Sequence, residues 1–197
     1  MAESGGLELY LIRHGETEWS KNGNHTGLTD IPLTENGIKQ AEATAKRIKD
    51  ITFGKVYSSP LQRAKTTCEK AGLLENAEIT DALLEWDYGE YEGITSPEIH
   101  KTNPGWNVFT HGAPGGESIE DVIKRAQKFI EELRGLSGKI ALFSSGHFLR
   151  AFTSIYLDQE ISLGKHLLLS TASLSILGED RGTPVVILWN DTHHFDN

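Results

Sequence analysis

The chain alternates short apolar runs with stretches of helical spacing, and this alternation constrains its fold more than any other feature. Residues 7–12 (LELYLI) are too few for a buried helix and read as a buried strand. Thr34-Glu35-Asn36-Gly37 introduces a helical pattern that runs to Lys49, residues 55–58 form a second strand, and Pro60 opens a helix reaching about Gly72. Residues 77–80 fit a third strand. Between residues 117 and 134, Ile119, Val122, Ile123, Ala126, Phe129, Ile130 and Leu133 recur at the spacing of one helix face. Residues 139–144 (KIALFS) are a further strand, a helix follows over about 148–157, and residues 173–177 and 185–189 pair as a hairpin. Such alternation predicts an α/β fold with a parallel sheet. Ligands of such sheets bind beyond the carboxyl ends of the strands, where the first run delivers Arg13-His14-Gly15.

One stretch breaks the pattern. Residues 81–116 are rich in glycine and proline and read as a long loop, a kind of segment that often forms a lid or substrate wall. At 197 residues the chain suits one compact domain over 1–197, with an ordinary globular composition of 38% hydrophobic and 24% charged residues. The net charge of −9 disfavours a nucleic-acid partner and requires any anionic ligand to be held by a local basic pocket. Cys68 is the only cysteine, so no intrachain disulfide can form; it reads as a small buried hydrophobe in a reducing cytoplasm. The opening MAESGG lacks the charged and apolar pattern of a leader, and no run of about 18 apolar residues occurs, so a soluble chain without a membrane partner is expected. A homodimer is left open. His193-His194 reads as a mobile tail.

A bare Arg-His-Gly would say little, but residues 11–20 (LIRHGETEWS) continue into Gly27-Leu28-Thr29-Asp30-Ile31-Pro32-Leu33-Thr34. Ser58-Ser59-Pro60-Leu61-Gln62-Arg63-Ala64, Leu84-Glu85-Trp86-Asp87-Tyr88-Gly89, Gly115-Gly116-Glu117-Ser118 and Gly146 with Arg150 follow in order. Over residues 7–150 this series resembles the histidine phosphatase (phosphoglycerate mutase-like) superfamily. The resemblance implies a three-layer α/β/α sandwich whose mainly parallel sheet has one antiparallel strand. It also implies hydrolysis through a phosphohistidine.

The chemistry needs these residue types. An imidazole at a strand end can attack phosphorus in line and split hydrolysis into two easier steps, a role the resemblance gives to His14. Charge on the phosphoryl oxygens calls for fixed cations, and the guanidinium forks of Arg13 and Arg63 bind such oxygens in pairs. The leaving alkoxide needs a proton and the later water must lose one. The family's L-x-E-x-x-Y-G pattern assigns that shuttle to Glu85, with Asp87, Glu90 and Glu92 as competing carboxylates. Ser20, Thr26 and Gly27 fall where the family's first loop folds over the phosphate, and Gly146 keeps the register of its H-G-x-x-x-R motif. His25, Trp86, Tyr88 and His147 are candidates for the substrate wall, whereas Trp106 and Phe109 read as packing the loop against the body. No metal and no cofactor is called for, because arginines and imidazole do the work of bound cations.

One departure matters. Family members carry a second histidine directly before the glycine of H-G-x-x-x-R, and here that place holds Ser145, which offers only a neutral hydrogen bond. A substitution introduced to trap a ligand, natural divergence with partial activity, and a phosphate-binding protein without turnover all fit. Between Trp86 and Ser118 the only formal cation is Lys101, which disfavours a second anionic group and therefore mutase-type phosphotransfer. The carboxylates and aromatics there suit hydroxyls and ring faces. The resemblance is strongest to sedoheptulose bisphosphatase-like and broad acid phosphatases, so the expected partner is a small phosphorylated sugar such as fructose 6-phosphate or a related hexose or heptulose phosphate.

Overall fold

The computed structural model describes residues 6–195; the opening residues 1–5, on which the absence of a leader was read, lie outside the described residues. The strand and helix order follows the sequence. Strand β1 (Glu8–Arg13) leads to helices α1 (Glu18–Asn22) and α2 (Glu35–Ile48), then β2 (Lys55–Ser58), α3 (Gln62–Lys70) and β3 (Ala77–Ile79). After the 81–116 stretch come α6 (Ile119–Arg134), β4 (Lys139–Ser144), α7 (Gly146–Tyr156) and the hairpin of β5 (Leu174–Asp180) and β6 (Thr183–Asp191). Thr34 starts α2 by accepting from the Gly37 N–H at 3.0 Å, and Ser118 and Asp121 cap α6 reciprocally.

The six strands lie in the order β3-β2-β4-β1-β5-β6. Strands β1 to β4 pair in parallel, while β5 runs antiparallel to both β1 and β6, so it is the one reversed strand. Side chains alternate across the sheet. Leu9, Leu11, Ile140 and Leu142 face a core completed by Val122, Phe129 and Leu133 of α6 and by Phe148 and Phe152 of α7. Tyr10, Ile12, Val56, Ala141 and Phe143 face the opposite side, where Ile48 of α2 and Cys68 of α3 cover them. Helices therefore cover both faces, giving three layers. No described helix is long and apolar enough to cross a membrane.

This order positions the site. The chain steps outward from β1 to β2 and β3, then returns to insert β4 between β1 and β2, which places the ends of β1 and β4 side by side, with Arg13 opposite Ser144. A reversal of this kind opens a crevice at the carboxyl ends of the strands.

Two expectations are corrected. The 81–116 stretch is not a bare loop: it holds α4 (Ser96–Thr102) and α5 (Val108–His111), which bury Ile99, Val108 and Phe109. His194 is not in a mobile tail but only 6% exposed. Its Nε2 lies 3.0 Å from the Ala172 carbonyl, which ties the end of the chain to the body.

Candidate active site

A cavity of about 250 Å³ opens at the carboxyl ends of the strands. Its lining includes Arg13 and His14 from the end of β1, Arg63 from the first turn of α3, Glu85 from the segment after β3, and Gly146, His147 and Arg150 from α7. Four chain segments far apart in sequence thus converge on one space.

His14 is 4% exposed and held by backbone on all sides. Its N–H donates to the Ser144 carbonyl at 2.9 Å and its own carbonyl accepts from Ala172 at 3.0 Å. Nδ1 lies 2.7 Å from the Gly15 carbonyl oxygen. A carbonyl can only accept, so Nδ1 carries the hydrogen and Nε2 of the neutral ring keeps its lone pair. Burial, and then the nearby Arg63 and Arg13 charges, hold the imidazole well below its usual range and so keep it neutral. The turn after His14 needs glycine: a Cβ on Gly15 would collide with the Gly37 carbonyl of α2.

Arg63 is fully buried. Its two terminal nitrogens donate to the Gly27 carbonyl at 2.6 Å and the Thr29 carbonyl at 2.8 Å, while its Nε has no partner among the described residues. Arg13 is anchored through its Nη1 to the Leu169 carbonyl, and its Nε is likewise buried without a partner. An unpaired buried N–H of a charged group is costly unless a ligand oxygen meets it. Gly146 makes room for this guanidinium, since a Cβ there would sit 3.1 Å from Arg13 Nε.

Glu85 is 6% exposed. Its Oε1 accepts from the N–H groups of Trp86 at 2.9 Å and Phe148 at 2.7 Å, and its Oε2 from His147 at 3.0 Å. The carboxylate therefore caps α7 from another segment, a position the helix dipole favours for negative charge. The Ser145 hydroxyl is left without a helix N–H, fully enclosed and unpartnered among the described residues.

A family model described as histidine phosphatase superfamily, branch 1, matches residues 9–192. The chain belongs to the histidine phosphatase superfamily. It is 40% identical over 190 residues to an acid phosphatase of Mycobacterium tuberculosis, covering 94% of this chain and 93% of that one. It is 32% identical over 181 residues to sedoheptulose 1,7-bisphosphatase of Saccharomyces cerevisiae, covering 74% and 66%. A solved structure of a Mycobacterium tuberculosis open reading frame superimposes with a TM-score of 0.87 at 37% identity, covering 93% of this chain and 96% of that one.

Within this histidine phosphatase, Ser20, His25, Thr26, Tyr88 and His147 line the cavity together with His14, Arg13, Arg63, Glu85 and Gly146. Three sequence expectations are corrected. Trp86 is not in the wall: it is fully buried, its indole donating to the Glu117 carbonyl at 3.0 Å and packing edge-on against Phe109. Gly27 does not line the cavity but bends beside it at φ +54°, with its carbonyl committed to Arg63. Ser145 does not line it either: it is fully buried at the start of α7.

A cation from outside residues 86–118 also reaches the site. Arg150 lines the cavity from α7 with its Nε on the Gly164 carbonyl at 2.8 Å and its guanidinium 4.8 Å above the Phe109 ring. A count of cations over residues 86–118 could not see it; its place four residues after Gly146 was the available signal. Asn24, Ser96 and Leu169 are further lining residues that the sequence reading missed.

The remaining wall is aromatic and uncharged. The Tyr88 hydroxyl shares a hydrogen bond with His147 Nδ1, and the His25 ring sits 4.8 Å from Tyr88 and 5.2 Å from Trp106. Burial lowers His25 to about 4. Burial, then the Arg150 charge, hold His147 well below the imidazole range, and burial lifts the Tyr88 phenol well above its own.

Proposed function

We propose that this phosphatase hydrolyses a small sugar phosphate through a phosphohistidine formed on His14. The observation that carries the reading is the locked tautomer of His14 between two arginines that each keep an unpaired, buried Nε. In the first step His14 Nε2 attacks phosphorus, the ester P–O bond breaks, and a proton taken up on Glu85 Oε2, the carboxylate oxygen with a single N–H partner, passes to the leaving sugar oxygen. In the second, the Glu85 carboxylate takes a proton from water, whose oxygen displaces His14 from phosphorus and releases inorganic phosphate. Arg13 and Arg63 stabilise the phosphoryl oxygens throughout.

The neutral wall of His25, Tyr88 and His147, with Asn24 and Ser96, suits a polyhydroxylated substrate, and the yeast relative acts by name on a sugar bisphosphate. The lone buried Cys68 and the net charge of −9 fit a cytoplasmic enzyme with a small-molecule substrate. A second reading, a phosphoester-binding module without turnover, is favoured by the enclosed Ser145 hydroxyl alone.

Phosphate release from a panel of sugar monophosphates, bisphosphates and 3-phosphoglycerate tests both, comparing the chain with its Ser145→His variant. Bisphosphates belong in the panel because Arg150 adds a third guanidinium. The expected result is release from a sugar phosphate by the unaltered chain and a gain of up to about 10²-fold in the variant. Binding without release by either protein would leave the module reading standing and end the hydrolase one.

A further inference from the structure

Glu92 was a competing carboxylate in the sequence, and it does not line the cavity. It holds the backbone of the loop at residues 27–29 instead. Its Oε1 accepts from the Leu28 N–H at 2.6 Å, and its Oε2 accepts from the Thr29 N–H at 3.0 Å and from the Thr29 hydroxyl. On the other side of the same loop, Arg63 donates to the carbonyls of Gly27 and Thr29.

The Gly27 carbonyl and the Leu28 N–H belong to one peptide group. That group therefore spans a guanidinium at its oxygen and a carboxylate at its nitrogen, with both hydrogen bonds assisted by charge and each polarising the other. Glycine at 27 suits its φ of +54°, and a Cβ there would push the Glu92 carboxylate aside. Burial lowers the Arg63 pKa, and the charges of Glu85 and Asp30, with smaller contributions from Tyr88 and Glu92, oppose that shift.

We propose that Glu92 is a positioning residue: it fixes the 27–29 loop and, through the Gly27–Leu28 peptide, sets the plane of Arg63 so that its unpaired Nε faces the phosphoryl group. This rests on the phosphatase reading above in taking the Arg63 site as the phosphoryl site. Glu92→Gln keeps the shape of the side chain but turns an amide N–H₂ toward the donors of Thr29. A displaced guanidinium is expected to weaken binding of inorganic phosphate about 10-fold or more.

The test is titration calorimetry with inorganic phosphate on the full chain, beside thermal melting and steady-state kinetics. Glu92→Gln is expected to raise the phosphate Kd and the KM, with a smaller change in kcat. In an Arg63→Lys background, where no fork spans the two carbonyls, Glu92→Gln is expected to add little, because both changes act on one element. Multiplying effects in the double variant, or an unchanged phosphate Kd in Glu92→Gln, would overturn the proposal. Should Glu92→Gln fail to fold, Thr29→Val removes one of the three donors and is expected to weaken phosphate binding a few-fold; no weakening would overturn the proposal equally. Phosphate binding needs no turnover, so a chain that binds phosphate but releases none from any sugar phosphate ends the hydrolase reading and still decides the role of Glu92. Absence of phosphate binding by the unaltered chain would end both.

Discussion

The lining around His14 and the lining around His147 share residue types but treat charge in opposite ways. Around His14 two guanidinium groups are fixed by carbonyls of Leu169, Gly27 and Thr29, and each keeps an unused N–H in a buried setting. Around His147, burial holds three ring systems neutral, and the one cation, Arg150, lies on the Phe109 face with its Nε tied to Gly164. The first arrangement is built for an oxyanion whose charge grows during reaction. The second suits hydroxyl groups, which exchange hydrogen bonds without net charge. The difference teaches that burial alone does not decide what a histidine does here: His14 and His147 are both kept neutral, but only His14 has its Nδ1 held by a carbonyl beside two phosphate-ready arginines.

The contrast breaks most sharply at His14. His14→Asn is expected to lower phosphate release by about 10⁴-fold or more while leaving inorganic phosphate binding within reach of calorimetry. Release at the parental rate would show that the nucleophile lies elsewhere. Tyr88→Phe tests the neutral side: losing the hydroxyl shared with His147 is expected to cut kcat/KM for the sugar phosphate about 5- to 10-fold, as for one hydrogen bond of about 1 kcal/mol. Inorganic phosphate should bind that variant as it binds the parent, and an equal loss of both would merge the two regions into one.

The last effect is on stability. His25 titrates near 6.5 when unfolded and at about 4 when folded, so between these values the unfolded chain binds more protons. Its contribution is fully present above pH 6.5 and is lost as pH falls toward 4. Melting temperatures are expected to drop through that window, and to drop less steeply in His25→Gln. An identical pH profile in the variant would place the acid sensitivity in the other buried histidines.

The frame was legible in the sequence because its elements are long or strongly patterned. Residues 55–58 and 139–144 are strands with those bounds, and α6 shows its buried face at the helical spacing that Val122, Ala126, Phe129 and Leu133 announce. Arg13 and His14 could be placed at a strand end by the apolar run before them, while Arg63 and Glu85 could be placed beside them only through the family resemblance. What escaped is nonlocal or too short to show a period. Helices α4 and α5, of seven and four residues, are held by caps at Thr95 and Asn107 and by a few buried side chains. Trp86 and Tyr88 are two residues apart in an irregular segment, where no alternation says which one meets the cavity. His194 is buried by its partners Ala172 and Thr44, the latter 150 positions away, which no local pattern reveals.

Cys68, sealed beneath the sheet on α3, carries a consequence for the handling of this protein. Its thiol is fully buried and burial pushes it up to about 12, so the reactive thiolate is suppressed while the fold is closed. Alkylating reagents should pass over the native molecule and label only those that have opened. With a single cysteine in the chain, the rate of labelling at a fixed pH becomes a clock for opening of the α3 face, read by mass spectrometry with and without a bound ligand.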